Sequence, residues 1–183
     1  IDLIIDGNML WGTTKGTMKL SKFDVAERQL LQSIKLFFNE EDPVSIHTIA
    51  EASAQVLRNI GVDYGVKSIT RDNECIKKDK RKEWNKELSK SRNFFKHADR
   101  DKNEFHEFDP MFNDFSLFDA AIMYNGIKKK WVPEVFTFWA WFILKYPELI
   151  REKSEIGKMY IVKKENEMLP NPKTNKLFQK CSI

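Results

Sequence analysis

The chain has 183 residues, 42% of them hydrophobic, 13% aromatic and 32% charged, with a net charge of +4. That supplies enough apolar side chain for one packed domain and too much for a disordered chain. Seven glycines and six prolines are few for an all-β architecture rich in tight turns, and Cys75 and Cys181 lie too far apart for a CxxC redox or zinc motif.

The longest apolar run, Val135–Leu144, covers about half of what a bilayer demands, so it reads as a core helix. Ile1–Ile5 lacks the basic leader and the length of a secretory signal core. The expectation is a soluble cytoplasmic protein with free thiols and no membrane partner.

In chain order, residues 1–17 differ in character from the rest of the chain. Leu3–Asp6 with the succeeding Gly-Asn resembles the first strand of PIN-like and flap-type 5′ nucleases, in which Asp6 would be a metal ligand. The simpler expectation is an N-terminal extension ahead of Met18, a helical domain over residues 18–150 and a C-terminal extension over residues 151–183.

Ser21 with Asp24 three positions later predicts a capping pair. Ala26, Leu30, Ile34, Phe37 and Phe38 then follow at helical spacing, giving a helix near 22–39. Asp42-Pro43 predicts an N-cap with proline in the first turn. The second helix turns Ile46, Ile49, Ala50, Ser53, Val56, Leu57 and Ile60 inward and closes at Gly61.

Val62–Arg71 reads as an irregular loop, and Asp72 as the cap of a charged third helix carrying Ile76, Trp84 and Leu88. That helix runs on, or breaks near Ser89–Ser91 and restarts. Asp109-Pro110 predicts a fourth helix with Phe112, Phe115, Phe118, Ile122 and Met123 as its buried stripe, ending near Asn125-Gly126. Pro133 opens a fifth, Val135–Tyr146, apolar on nearly every side and stopped by Pro147. Met159–Val162 reads as a short strand. The fold class expected is an all-α bundle of about five main helices.

Charge is segregated. Lys67 to Lys102 holds 13 Lys/Arg against 7 Asp/Glu, while Asn103 to Ile127 holds five acids and no Lys or Arg. Such blocks mark a polyanion site, two pairing faces of a dimer, or solvated helix faces. Lys96 and the run containing Lys78, Arg81 and Lys82 are the candidate phosphate contacts. Phe94 and Phe95 read as anchors of their helix. Trp131, Trp139 and Trp141 read as core and dimer interface.

The stretch S-R-N-F-F-K-H places Arg92, Asn93 and His97 on one helix. Asn93 and His97 share a face, while Arg92 and His97 are offset by about 140° in an ideal helix. The pair therefore converges only over a shared cleft, such as a twofold seam. Histidine moves protons near neutral pH, arginine holds phosphate, and asparagine orients the imidazole. This R-N-x-x-x-H pattern resembles the signature of the HEPN superfamily of helical bundles. The resemblance implies a homodimer acting on RNA as a metal-independent endoribonuclease without cofactor, with Arg92 and His97 catalytic and Asn93 in support.

Three further segments, Met18-Lys-Leu-Ser-Lys, Asp42-Pro-Val-Ser-Ile-His-Thr and Asn93-Phe-Phe-Lys-His-Ala-Asp, resemble a group of short uncharacterised bacterial proteins over roughly residues 18–150. That resemblance brings no activity, but it directs attention to His47. The expectation is a polar cluster of His47 and Asp99 around His97 if the second and third helices pack side by side. The alternatives to the nuclease are thus a non-catalytic helical module binding a nucleotide, RNA or protein, and a metal-dependent enzyme using His47, His97 and Asp99.

Overall fold

The structure is a computed structural model that describes residues 17–99 and 102–149. The expected strand at Met159–Val162, both extensions beyond these limits and Asp6 lie outside the described residues. Six helices make up the fold: α1 Lys22–Phe38, α2 Pro43–Gly61, α3 Arg81–Leu88, α4 Lys90–Lys96, α5 Phe112–Lys128 and α6 Pro133–Lys145. Single 3-10 turns follow α2 and α6, at Val62–Tyr64 and Pro147–Leu149, and no strand occurs among the described residues. The expected all-α bundle is the observed one, with six helices in place of about five.

Local chemistry sets the starts of α1 and α2. The Ser21 hydroxyl accepts from the Asp24 amide while the Asp24 carboxylate accepts from the Ser21 amide, a reciprocal capping box. The Asp42 carboxylate accepts from the Ser45 amide at 2.7 Å, with Pro43 in the first turn. α2 is the central element, packed along α1 on one side and α5 on the other, and α6 closes over α1 and α5. Leu30, Phe38, Leu57, Leu117, Met123, Tyr124, Val135 and Phe138 are fully buried between these four helices.

Several expectations are corrected by packing. Gly61 is the last helical residue of α2, and the left-handed turn falls at Gly65, where φ is +66°. Gly61 is glycine for a different reason: a Cβ there would lie 2.9 Å from the Val66 carbonyl oxygen. Asp72 caps no helix; its carboxylate accepts from the Ser68 amide and closes a turn well before α3. The basic helix does break at Ser89, a single residue that both ends α3 and starts α4.

α5 is rotated from the face that its phenylalanines suggest. Phe112 is exposed and Phe115, Phe118 and Ile122 are half-buried, whereas Leu117, Ala120, Ala121, Met123, Tyr124 and Ile127 face the core. The small pair Ala120-Ala121 lets α5 approach α2 closely, which a stripe of three phenylalanines and Ile122 could not. The helix also runs past Asn125-Gly126 to Lys128, ending on Lys129 in the left-handed region. α6 is likewise one-sided. Val135, Phe138, Trp141, Phe142 and Ile143 are buried, but Phe136 is 48% exposed and Trp131 and Trp139 are half-buried beside it.

Candidate nucleic-acid interface

Arg92 and His97 face different surroundings. The Arg92 guanidinium turns inward to α2, where Nη1 donates to Gln55 Oε1 at 2.9 Å and lies 4.0 Å from Glu51 Oε2. Burial, and then the neighbouring Arg71 cation, hold its pKa below the usual arginine value. His97 sits at the C-terminal end of α4 with extended backbone and an exposed ring. Asn93 is exposed, and its carbonyl accepts from the His97 amide. No hydrogen bond, ion pair or ring contact joins Arg92 to His97 among the described residues. Phe94 and Phe95 lie half-buried over the 103–111 loop, Phe94 stacked on His106 and Phe95 edge-on to Phe108.

The polar cluster expected around His97 forms instead around Glu51. Glu51 accepts from Arg71 Nη2 at 2.8 Å and from the Ser116 hydroxyl at 2.8 Å. The other half of the Arg71 guanidinium donates to the Ser89 hydroxyl at 2.8 Å. One side chain thereby ties the 66–80 loop to α2 and to the α3–α4 junction. On the opposite side of that loop, Asp119 accepts from the Ser68 hydroxyl, the Ile69 amide and the Thr70 hydroxyl, at 2.7, 2.7 and 2.9 Å. Burial pushes the Asp119 carboxyl above its ordinary value despite those donors. The loop is thus fixed by polar side chains together with Val66, which packs against the core.

His47 lies on the same face of α2, one turn before Glu51, and is 3% exposed. The Asn113 amide donates to the Pro43 carbonyl, so its oxygen faces His47 Nδ1 at 3.0 Å. Nδ1 therefore carries the proton and Nε2 the lone pair. Nε2 is buried without a partner among the described residues, against a small cleft of about 50 Å³ also lined by Glu51, Arg71 and Ser116. Burial pushes the imidazole below its ordinary pKa and keeps it neutral, outweighing the attraction of Glu51. His47 does not meet His97 or Asp99. No group of three or more His, Cys, Asp or Glu side chains placed to hold a metal occurs among the described residues. His47 is enclosed by α5, Phe95 of α4 and Phe108 of the 103–111 loop, while His97 and Asp99 occupy exposed positions at and beyond the end of α4.

A larger feature lies within the basic block. Between the C-terminal half of α2, the 62–78 segment and the start of α3 runs an open groove of about 860 Å³. Arg58, Lys67, Lys77, Lys78 and Arg81 supply cations to its walls, against Asp72 and Glu74. Both carboxylates are already engaged, Glu74 by Lys67 at 3.1 Å and Asp72 by the Ser68 amide. Lys77, Lys78 and Arg81 have no anionic partner among the described residues, and Arg81 Nε is a buried donor without an acceptor. Arg58 shares Gln55 Oε1 with Arg92, while Arg71 and Arg92 are the two arginines that flank the carboxylate of Glu51. Burial depresses Arg58 below its ordinary value, with Arg71 adding to the effect.

Of the candidate phosphate contacts, Lys78 and Arg81 line this groove, Lys82 is exposed beside it on α3, and Lys96 is exposed at the end of α4, away from the lining. Arg58 and Lys67 were missed because they lie outside the densest basic run. Glu51, Arg71, Asn113 and Asp119 carried no local signal, since their side-chain partners lie 14 to 70 residues away. Comparison with protein-family models, curated proteins and solved structures finds no match to this chain. No described helix is long and apolar enough to cross a membrane.

Proposed function

We propose that the protein is a helical RNA-binding module whose groove between α2 and α3 holds the phosphate backbone. The observation that carries this reading is the trio Lys77, Lys78 and Arg81, cations on the wall of an open groove whose own carboxylates are committed elsewhere. Unpaired cations in a concave, low-dielectric wall concentrate positive potential, and a polyanion releases counterions on entering it. The volume lies within the range of ligand sites. The expected result is that fluorescence anisotropy detects binding of labelled RNA, and that Lys77→Ala, Lys78→Ala and Arg81→Ala together weaken it by about tenfold or more. Equal affinity of the variant and the parent protein would overturn the reading.

A second reading adds cleavage of the bound RNA. It is favoured by the exposure of His97, whose ring is open to a substrate at the end of α4. In the HEPN-type mechanism a homodimer cleft would bring Arg92 to it, which requires the guanidinium to leave Gln55 and the neighbourhood of Glu51, and the RNA 2′-hydroxyl would serve as nucleophile. Cleavage that persists in EDTA and disappears with Arg92→Ala and with His97→Ala supports this reading; cleavage unaffected by either change sinks it.

A further inference from the structure

The groove does not end at α2. Val66 lines it, and the backbone of α5 at Gly126 abuts the same side chain so closely that a Cβ at position 126 would lie 2.9 Å from Val66 Cγ2. Just past the end of α5, three and four residues beyond Gly126 in the chain, come Lys129 and Lys130. Both are exposed, and no ion pair engages them among the described residues. Lys128 differs, being tied to Glu27.

Directly after this basic turn the chain builds a surface of three rings. Trp139 stands 5.4 Å from Trp131 and 5.6 Å from Phe136, the latter pair stacked at 27°, and Trp131 meets Phe136 edge-on at 6.0 Å. Phe136 is 48% exposed, on the face of α6 turned away from the core. Aromatic faces supported by one another and flanked by unpaired lysines suit nucleobases joined by phosphates: the rings stack on bases and the cations meet the backbone. A second copy of this chain fits less well. Two such faces brought together would set four lysines in one seam, with Glu134 the only acid between positions 128 and 134.

Resting on the RNA-binding reading of the groove, we infer that Trp131, Phe136 and Trp139, with Lys129 and Lys130, form a base-stacking platform that makes the module select single-stranded RNA. A strand whose phosphates follow the groove reaches the lysine turn past Val66 and Gly126, and its bases then meet the rings. Duplex RNA satisfies the groove but not the platform, because its bases are stacked internally and offer no open face.

The test uses a fluorescein-labelled oligoadenylate of about twelve nucleotides, within the span that one such surface covers, and the same strand paired with oligouridylate. Circular dichroism verifies folding, and Phe136→Ala, which alters an exposed ring, accompanies Trp139→Ala. The parent protein is expected to bind the single strand more tightly than the duplex and to lose tryptophan fluorescence on binding. Each aromatic variant should weaken single-strand binding about fivefold or more and leave the duplex nearly unchanged. Aromatic variants that bind the single strand like the parent protein, while the groove variant still loses affinity, would overturn the platform and leave the groove standing. A shift from dimer to monomer in sedimentation, with RNA binding intact, would make this face an interface between copies and equally overturn it. Absence of binding to either RNA would remove the groove reading and the platform with it.

Discussion

Arg71 and Glu51, twenty residues apart in the chain, meet at 2.8 Å with both side chains 7% exposed. The pair is completed by Ser89 and Ser116, which satisfy remaining donor and acceptor positions. This relationship holds the 66–80 loop, and hence one wall of the basic groove, against α2. Removing Glu51 leaves Arg71 buried without its counter-charge, so Glu51→Ala is expected to cost about 3–5 kcal/mol, and Arg71→Ala less, because Arg92 still lies 4.0 Å from Glu51. Urea denaturation at neutral pH checks this. The double variant should lose less than the sum of the two, since the second change removes the orphaned charge. A loss under about 1 kcal/mol for each would mean that the pair behaves like a surface one.

The neutral, buried His47 makes stability depend on pH in a defined direction. Its folded pKa is lowered from 6.5, chiefly by burial. Below that value the unfolded chain binds a proton that the folded protein resists, so stability falls as pH drops from about 6.5 toward the folded pKa and is constant above. His47→Gln, which keeps a polar side chain beside Asn113, should flatten the stability curve measured between about pH 5 and 7. An unaltered slope in the variant would assign the pH dependence to other groups.

Two glycines approach the same residue but differ in what they touch. At Gly61 a Cβ would meet the Val66 carbonyl oxygen at 2.9 Å, whereas at Gly126 it would meet the Val66 methyls at 2.9 and 3.0 Å. Both Gly61→Ala and Gly126→Ala should destabilise by about 1–3 kcal/mol, overcoming the gain of about 1 kcal/mol in helix propensity. Val66→Ala in the same chain should rescue Gly126→Ala and leave Gly61→Ala unrescued, because only the clash at Gly126 is with a side chain. Thermal denaturation of the two double variants decides it.

Much of the architecture was legible where the signal is local. Ser21 with Asp24, and Asp42 with Pro43, start helices by bonds to amides three residues on, and Pro133 and Pro147 bound α6 by steric exclusion. Asp72 misled because the same chemistry also closes turns, and its partner Ser68 precedes it. The α5 register was hidden because Phe112, Phe115 and Phe118 mimic a core stripe, while the true face includes Asp114 and Asp119, buried by partners on other elements. The charge block located Lys78 and Arg81. Nothing local announced that Arg92 would turn toward Gln55, or that α2 would carry both His47 and Glu51 inward, because those outcomes depend on which helix packs opposite.

The salt dependence of RNA affinity tests the groove most directly, because counterion release counts the cations that meet phosphate. For the parent protein and the Lys77→Ala, Lys78→Ala, Arg81→Ala variant, the dissociation constant for a single-stranded RNA is measured across a range of salt concentrations. Each lost contact is expected to reduce the log–log slope by about 0.7, so the triple variant should lose about 2 in slope along with its affinity. A variant with weakened binding but the parent slope, or with both unchanged, would contradict phosphate contact in the groove.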